Sequence, residues 1–294
     1  MLIGIIANIT KEKVLDVVSS FLTKLKKNNV DYLLTQSLTE ENGKLRIKLD
    51  EDFVIDDKEV YEKCDVIISI GGDGTMLATA YNAQFYDKPV LGVNLGKLGF
   101  LAEVNIDQID KVIEDLIIGN YKIEERIIIS GDFLDYKSEK IYAINDIVID
   151  KGGWPKMIEL TVWIDGEYVT TLSADGLIIA TPIGSTGYSI SVGGPIVSPK
   201  TDVITIAPIS PHSLTVRPLV LPANQEILIK ADSLHTAIQV NCDGQRSYSF
   251  PPPMEIKIKK SDRPLKLIHT SLTTYFETLR NKLMWGIDLR NKRK

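Results

Sequence analysis

The sequence predicts an α/β amino-terminal domain with a mostly parallel sheet, followed by a β-rich carboxyl-terminal domain of two packed sheets. In the first hundred residues, short apolar runs alternate with segments whose apolar residues recur at helical spacing, which is typical of βαβ units. From about Ile123 onward, apolar and polar residues alternate, which is typical of antiparallel strands. The period of the pattern therefore changes once along the chain.

The amino-terminal domain is predicted at residues 1–103, and we expect the helix at 271–294 to pack back and join it. This helix is indicated by the return of helical spacing in SLTTYFETLRNKLMWG. Within 1–103 we expect strands at 2–7, 32–34, 64–70 and 88–96, and helices at 14–25 and 75–85.

The β-rich domain is predicted at residues 104–270, with a helix at 104–119 that joins the two domains. The segment MIELTVWIDGEYVTTL alternates on both sides of Asp165-Gly166, which is a hairpin signal. Further strands are expected in IYAINDIVID, DVITIAPI, EILIKAD, HTAIQVNCDG, MEIKIKK and LKLIHT.

Composition excludes several classes of protein. The chain has 34 basic and 39 acidic residues and a net charge of −5, without a long basic run before its last five residues, so nucleic-acid binding is not expected. No apolar stretch approaches the length of a membrane span, which takes about 20 residues, so no membrane partner is expected. Its two cysteines, Cys64 and Cys242, form neither a disulfide framework nor a metal-ligand pair, which fits a reducing cytoplasm.

The run CDVIISIGGDGT at 64–75 carries an aspartate between glycines at the end of a buried strand. Glycines let backbone N–H groups approach an anion, and a helix that begins near Thr75 adds partial positive charge, so the loop suits a phosphate. Asp73 would repel that phosphate unless it serves a cation or takes a proton from an attacking hydroxyl, and both tasks belong to phosphoryl transfer. The alternative is a hairpin turn at Asp-Gly, although the residues after it favour a helix over a second strand.

Other catalytic motifs are absent from the sequence. The segment 92–98 resembles a P-loop but is one residue short and has Leu98 where Ser or Thr is required. The three histidines are widely spaced and form no HExxH, so a zinc site is not expected. The segment GYSIS at 187–191 lacks the closing glycine of a nucleophile elbow.

Four more polar, glycine-rich or paired clusters follow or precede strands. They are NLGKLGF at 94–100, Asn145-Asp146, SADG at 173–176 and TPIGSTGYSISVGGP at 181–195. Each alone could be a turn or a helix cap. The hydroxyl groups, the tyrosine and the glycines of 181–195 nevertheless suit the ribose and amide groups of a nucleotide.

These motifs resemble the successive motifs of the NAD kinases, and the resemblance covers nearly the whole chain. GGDGT alone is shared with diacylglycerol, sphingosine and 6-phosphofructo-kinases, whereas DGLIIATPIGSTGYSISVGGPIV at 175–197 is the more specific block. SLTVRPLVLP at 213–222 and DGQ at 243–245 also match. The resemblance implies a phosphotransferase that moves a phosphoryl group from ATP, or also from polyphosphate, to the 2′-hydroxyl of the adenosine ribose of NAD.

The resemblance also implies roles for individual residues, a divalent metal cofactor such as Mg²⁺, and a homodimer or homotetramer. Asp73 corresponds to the general base on the ribose hydroxyl, and Asp175 to a contact at the nicotinamide end. The implied phosphate-donor residues are Gly71, Gly72, Gly74 and Thr75, and the implied NAD-binding residues are Asp73, Gly74, Asn145, Asp146, Asp175, Thr186, Gly187, Tyr188, Ser189, Ile190, Ser191 and Gln245.

Some positions depart from the common family pattern, and other functions stay open. Asp146 stands where glutamate is usual, and Lys156 and Ser173 stand where many relatives carry arginine. A lipid kinase of the same superfamily is one alternative, but it would need an acyl groove or a basic amphipathic surface, which the sequence does not indicate. A nucleotide-binding regulator without catalysis is another, and the intact Asp73 argues against it.

Overall fold

The computed structural model describes residues 1–10, 14–38, 53–96, 99–134, 136, 140–270 and 272–286. The chain forms two compact units, Met1–Glu125 with Lys266–Lys294, and Arg126–Leu265. The last part of the helix expected at 271–294, residues 287–294 with the basic tail, lies outside the described residues. Lys97 and Leu98 of the P-loop-like segment also lie outside them.

The first unit is an α/β structure built on one sheet. Its strands are β1 Leu2–Ala7, β2 Asp31–Thr35, β3 Val54–Ile55, β4 Val66–Gly71, β5 Val90–Asn94, β6 Val104–Asn105, β7 Lys122–Arg126 and β20 Leu265–His269, and its helices are α1 Val14–Lys27, α2 Asp57–Lys63, α3 Asp73–Ala83, α4 Ile109–Ile118 and α6 Tyr275–Leu283.

The sheet of the first unit has the order β3-β2-β1-β4-β5-β20-β7, with β6 also paired to β5. The pairs that join β1 to β2 and β4, and β5 to β4, β6 and β20, are all parallel. Every residue of β4 is buried, because helices cover both faces of the sheet and leave no polar side for a strand. The predicted α/β class of this part is confirmed.

The segment after β5 differs from the expected joining helix at 104–119. Val104–Asn105 pairs with β5 as β6, and α4 begins only at Ile109. The buried face of α4 belongs to the same core cluster as α1, and Asp110 Oδ1 lies 2.8 Å from Lys24 Nζ on that helix. The compact unit therefore continues to Glu125, past the division at 103/104 that the pattern predicts. The sequence of an amphipathic helix does not reveal which core its apolar face joins, which is why the pattern places the boundary too early.

The second unit consists of two antiparallel sheets. One has the order β15-β14-β13-β10-β17-β18 and the other β12-β11-β16-β19-β8-β9. Its strands are β8 Ile129–Phe133, β9 Ile141–Ala143, β10 Asp146–Asp150, β11 Ile158–Ile164, β12 Glu167–Ala174, β13 Gly176–Ala180, β14 Val203–Ile209, β15 Leu219–Pro222, β16 Ile227–Asp232, β17 Ile238–Cys242, β18 Arg246–Phe250 and β19 Met254–Lys260. Its one α-helix among the described residues is α5 Tyr188–Ser191, which follows a 3-10 turn at Gly184–Thr186.

One apolar core lies between the two sheets of this unit. It contains alternate residues of β10, β13 and β17 from one sheet and of β11, β16 and β19 from the other. The opposite face of the first sheet carries a smaller cluster that includes Val148, Ile178 and Ala207, with Val192 just after α5 packed against it. The predicted two-sheet architecture is confirmed, and the second cluster positions the segment around α5 on the outer face of the sheet.

Candidate active site

The strand order of the first unit places a topological switch point between β1 and β4, where open α/β sheets bind their ligands. Two short contacts connect the carboxyl ends of these strands. The backbone N–H of Asn8 donates to the carbonyl of Ile70 at 3.1 Å, and Asn8 Nδ2 donates to Thr75 Oγ1 at 3.3 Å. The GGDG loop therefore lies at the edge where a ligand is expected, together with Asn8.

Helix α3 begins directly after β4, and this geometry depends on the glycines. Gly72 is the N-cap in extended conformation, and the helix starts at Asp73 instead of about Thr75. A Cβ on Gly71 would lie 2.5 Å from the Cβ of Thr75, so the tight strand-to-helix turn requires glycine there. The sequence-predicted phosphate-donor residues Gly71, Gly72, Gly74 and Thr75 are thus collected at a helix amino terminus, which attracts anions.

The carboxylate of Asp73 accepts four hydrogen bonds within the first unit. Its Oδ1 accepts from the backbone N–H groups of Leu101 and Ala102, each at 3.1 Å. Its Oδ2 accepts from the backbone N–H of Phe100 at 3.1 Å and from Lys282 Nζ at 3.0 Å. Burial raises the pKa of Asp73, but the hydrogen bond and charge of Lys282 and the N–H groups of Ala102 and Leu101 lower it by more. The pKa is therefore lowered overall, and the group is an anion at neutral pH.

In the second unit, Asn145 and Asp146 lie at the start of β10 on a turn fixed by Asp243. The buried carboxylate of Asp243 accepts from the N–H groups of Ile144 at 2.9 Å, Asn145 at 2.7 Å and Asp146 at 3.3 Å. Its Oδ2 lies 2.7 Å from a guanidinium nitrogen of Arg246. Three successive backbone N–H donors and a guanidinium thus fix the Asp243 carboxylate in a buried position.

The carboxyl group of Asp146 lies in a different environment from that of Asp243. Its residue is only 5% exposed, and burial together with the nearby negative charge of Asp243 raises the pKa of Asp146 to about 7. Near neutral pH this acid therefore carries a proton in a large fraction of molecules and can donate a hydrogen bond as well as accept one.

The glycine-rich segment after β13 packs against Asn145. Thr181 donates its N–H to the carbonyl of Asn145 at 2.8 Å and its hydroxyl to the carbonyl of Ile144 at 2.6 Å. A Cβ on Gly184 would overlap the carbonyl of Asn145, and one on Gly187 would lie 3.8 Å from Asn145 Nδ2 and 3.8 Å from Asp146 Oδ2. Close backbone approach therefore brings the residues 184–187 to the Asn145-Asp146 pair.

Two buried polar atoms in this part of the chain have no partner among the described residues. They are Asn145 Oδ1 and Ser189 Oγ. A buried acceptor without a hydrogen bond is costly, and such groups often await a ligand. Tyr188, next to Ser189 on α5, is 47% exposed and presents its ring to solvent.

The remaining sequence-predicted residues of this unit are not all in one place. Gln245 lies in the turn that follows Asp243, where its N–H donates to the carbonyl of Cys242 at 3.0 Å. Asp175 precedes Gly176, which is paired with Asp150 at the far end of β10 from Asp146, about 13 Å away along the strand. There its Oδ1 lies 2.6 Å from Lys151 Nζ.

Several residues of these sites were not predicted as functional from the sequence. The N–H groups of 100–102 lie within the NLGKLGF cluster or directly after it, and Asp243 is the first residue of the DGQ motif. A motif in the sequence therefore pointed to the neighbourhood of both. Asn8 and Lys282 had no such motif: an asparagine after a strand and a lysine on an amphipathic helix are ordinary residues at such positions.

The described part of the chain contains no group of three or more His, Cys, Asp or Glu side chains that could hold a metal ion. Nor does any helix within it have the length and apolar character needed to cross a membrane.

Family models match both parts of the chain. The ATP-NAD kinase N-terminal domain matches residues 3–121, and the ATP-NAD kinase C-terminal domain matches residues 144–270. The first match contains Asp73 and ends close to the end of the first segment of the α/β unit; the second contains the Asn145-Asp146 turn and the 181–191 segment.

Relatives and solved structures agree with these matches. The NAD kinase of Chlorobium phaeovibrioides is 38% identical over 287 residues, covering 97% of this chain and 99% of the relative, and that of Pseudomonas entomophila is 35% identical over 288 residues, covering 97% and 95%. Yeast NADH kinase complexed with NADH has a TM-score of 0.89 at 27% identity, covering 99% of this chain and 89% of that chain. An NAD kinase from Archaeoglobus fulgidus in complex with ATP has a TM-score of 0.74 at 25% identity, covering 97% and 98%. The resemblance noted in the sequence is confirmed, and the chain belongs to the NAD kinase family of phosphotransferases.

Proposed function

We propose that this chain transfers the γ-phosphoryl group of ATP to the 2′-hydroxyl of the adenosine ribose of NAD, producing NADP. The observation that carries the proposal is an ionised, half-buried carboxylate, Asp73, in the first turn of a helix at the switch point of a parallel sheet. The complexes of the structural neighbours, with NADH in one and ATP in the other, support a dinucleotide acceptor and a nucleotide donor.

In this proposal, Asp73 is the general base. As the ribose oxygen bonds to the γ-phosphorus, the bond from that phosphorus to the bridging oxygen of ADP breaks, and the hydroxyl proton passes to the Asp73 carboxylate and then to solvent. A hydroxyl is a weak nucleophile, but phosphoryl transfer has a loose transition state in which the proton leaves late, so a positioned carboxylate is sufficient. The backbone N–H groups of 71–75 and the amino terminus of α3 would bind the donor phosphates.

Most of the residues proposed to bind NAD belong to the second unit. The unpartnered Asn145 Oδ1 and Ser189 Oγ offer acceptors for ribose or adenine groups, and the partly protonated Asp146 suits a pair of ribose hydroxyls because it can donate and accept. Tyr188 offers an exposed ring for stacking. The remaining proposed contacts are Asp73, Gly74, Thr186, Gly187, Ile190, Ser191, Gln245 and, for the nicotinamide end, Asp175.

A divalent cation, proposed here as Mg²⁺, fits the residues present only if it arrives with the donor. Mg²⁺ is commonly bound by one or two carboxylates together with substrate phosphates and water, without an all-protein cage. Asp73 is the acid at the GGDG loop, and the described residues contain no group of three or more His, Cys, Asp or Glu side chains that could hold the ion by themselves. When bound, the ion would neutralise charge on the donor phosphates.

Two further properties are proposed from the family resemblance. The first is a homodimer or homotetramer, testable by multi-angle light scattering. The second is a cytoplasmic location, with which the free, buried thiols of Cys64 and Cys242 are compatible.

The decisive experiment replaces Asp73 by asparagine, which keeps the side-chain shape and removes the base. We expect NADP formation from NAD, ATP and Mg²⁺ to fall by at least about 100-fold while NAD still binds by calorimetry. Asp107→Asn, at an exposed acid of the same unit, is the matched control and should change little. Near-normal turnover in Asp73→Asn would refute the role of the base.

Substrate choice is measured with the same assay. Initial rates with NAD and NADH, each against ATP, GTP and polyphosphate, identify the acceptor and the donor. A wild-type protein that binds NAD but makes no NADP with any donor would instead be a non-catalytic regulator, and turnover of a diacylglycerol or sphingosine substrate would indicate a lipid kinase.

A further inference from the structure

All acceptor positions of the Asp73 carboxylate are occupied. An ionised carboxylate offers about four lone-pair sites on its two oxygens. Two N–H groups donate to Oδ1, and one N–H group and the Lys282 ammonium donate to Oδ2, at 3.0 to 3.1 Å. In this arrangement Asp73 has no free position at which to accept the proton of a hydroxyl.

Three of the four donors belong to a backbone turn that is fixed in place. The turn at 99–102 is closed by a hydrogen bond of 3.1 Å from the Gly99 N–H to the carbonyl of Ala102. Gly99 packs so closely on Asp73 that a Cβ at this position would overlap the carboxylate. These N–H groups therefore stay on Asp73 unless the turn itself unfolds.

The fourth donor, Lys282, is the one that can move. Its ammonium is carried on a flexible four-carbon stem, and its side chain is 30% exposed. The Nζ atom also lies 5.1 Å from the centroid of the Phe100 ring, within the range of a cation–π contact beside the Asp73 carboxylate. Rotation of its side chain is sufficient to release Oδ2.

We propose that Lys282 exchanges partners during the reaction: it holds Asp73 Oδ2 while the donor site is empty and binds phosphate oxygens of the nucleoside triphosphate when the donor is bound, which frees Oδ2 for the 2′-hydroxyl. This inference rests on the proposed function and adds a phosphate-binding residue to it. A triphosphate at the start of α3 carries more negative charge than one carboxylate, so the ammonium is drawn to it. Donor binding then produces the free base that the reaction needs.

The competing interpretation is that Lys282 only fastens α6 to the sheet. That helix is otherwise attached through few fully buried residues, among them Leu279 and Thr278. A fastening role predicts a change in thermal stability with unchanged donor affinity, whereas partner exchange predicts a change in donor affinity.

The test measures binding of the non-hydrolysable ATP analogue with an imido bridge, in the presence of Mg²⁺, to the full-length protein by calorimetry. Lys282→Gln should raise the Kd of the analogue by about tenfold or more, which is typical of losing a hydrogen bond to a charged group. Lys282→Arg should keep it within about threefold of wild type, and Arg280→Gln, which removes a cation two residues away on α6, should leave it unchanged. Affinity for NAD should change in none of the three.

A double-mutant cycle distinguishes partner exchange from simple attraction between Lys282 and the phosphates. In wild type the ammonium must leave Asp73 before it binds phosphate, whereas in Asp73→Asn it is already free. The Kd increase caused by Lys282→Gln should therefore be larger, by about fivefold or more, in the Asp73→Asn background than in wild type. An equal increase in both backgrounds, or none, would overturn the exchange.

Two controls keep the outcome interpretable. If Lys282→Gln does not fold, as judged by circular dichroism and NAD binding, Lys282→Met preserves the stem against the Phe100 ring and replaces it. Wild-type NADP formation is measured first, and its absence refutes the proposed function. NADP formation together with undiminished analogue binding in Lys282→Gln, or in Lys282→Met where that replaces it, refutes the exchange alone.

Discussion

Replacing Asp146 by asparagine should remove a large part of the pH dependence of stability of the second unit. In wild type, burial and the adjacent Asp243 raise the folded pKa of Asp146 to about 7, against an ordinary value of 3.8. Asparagine has nearly the shape of the protonated acid and cannot ionise. The variant thus resembles the low-pH form of this residue at every pH.

The sign of the effect follows from proton linkage. Between about pH 4 and pH 7 the folded protein retains a proton on Asp146 that the unfolded chain has released, so the free energy of unfolding falls as pH rises through this interval. The difference between the folded and the ordinary pKa corresponds to about 4 kcal/mol of unfolding free energy, at about 1.4 kcal/mol for each pKa unit. About 3 kcal/mol of it is lost between pH 5 and pH 8.

Urea unfolding at about pH 5 and pH 8 measures this difference, followed by tryptophan fluorescence, to which Trp154 and Trp163 of the second unit contribute. We expect Asp146→Asn to gain about 3 kcal/mol relative to wild type on going from pH 5 to pH 8. Asp262→Asn, at an exposed acid of the same unit, is the control and should follow wild type. The same change in unfolding free energy in wild type and Asp146→Asn would refute the reasoning about burial and Asp243.

Three other substitutions test the close contacts of the two sites. Asp243→Ala removes the acceptor of three successive backbone N–H groups and the partner of a guanidinium, so urea unfolding should show that the free energy of unfolding falls by at least about 3 kcal/mol. A decrease below about 1 kcal/mol would contradict a stabilising role of these contacts. Gly99→Ala would push its methyl group into Asp73 and should lower the rate of NADP formation about tenfold or more with NAD affinity retained; an unchanged rate would show that the carboxylate tolerates displacement. Gly184→Ala would overlap the Asn145 carbonyl, so calorimetry should show at least about tenfold weaker NAD binding, and wild-type affinity would exclude Asn145 from the NAD contacts.

The main elements of the first unit could be predicted from local patterns. The apolar run 66–70 indicated a doubly covered strand, and the helix formers after Gly74 indicated α3, because both signals depend on neighbouring residues only. The assignment of α4 to the first unit could not be predicted from its own residues. Its apolar face is equally suited to any core, and the packing on α1 decides which one it joins.

The candidate sites were predictable where chemistry is local and not where the chain returns from a distance. Asp73, Asn145 and Asp146 are recognisable from the residues beside them. The hydrogen bond between Asp243 and the Asn145 N–H joins residues 98 positions apart in the sequence. The ion pair between Lys282 and Asp73 joins residues 209 positions apart. No periodicity connects such positions, and the raised pKa of Asp146 depends on a neighbour that the sequence leaves unspecified.

The first unit is assembled from both ends of the chain, and this has a consequence for its synthesis on the ribosome. Strand β20 takes its place beside β5, and α6 supplies Lys282, only after the whole of Arg126–Leu265 has been translated. Domains usually fold in the order in which they emerge, the amino-terminal one first. Here all strands of the inserted second unit are synthesised before β20, the last strand of the first unit. The Asp73 carboxylate therefore acquires Lys282 as a partner only after the inserted unit has been translated, and a nascent chain that stops before α6 would carry the GGDG loop without the lysine.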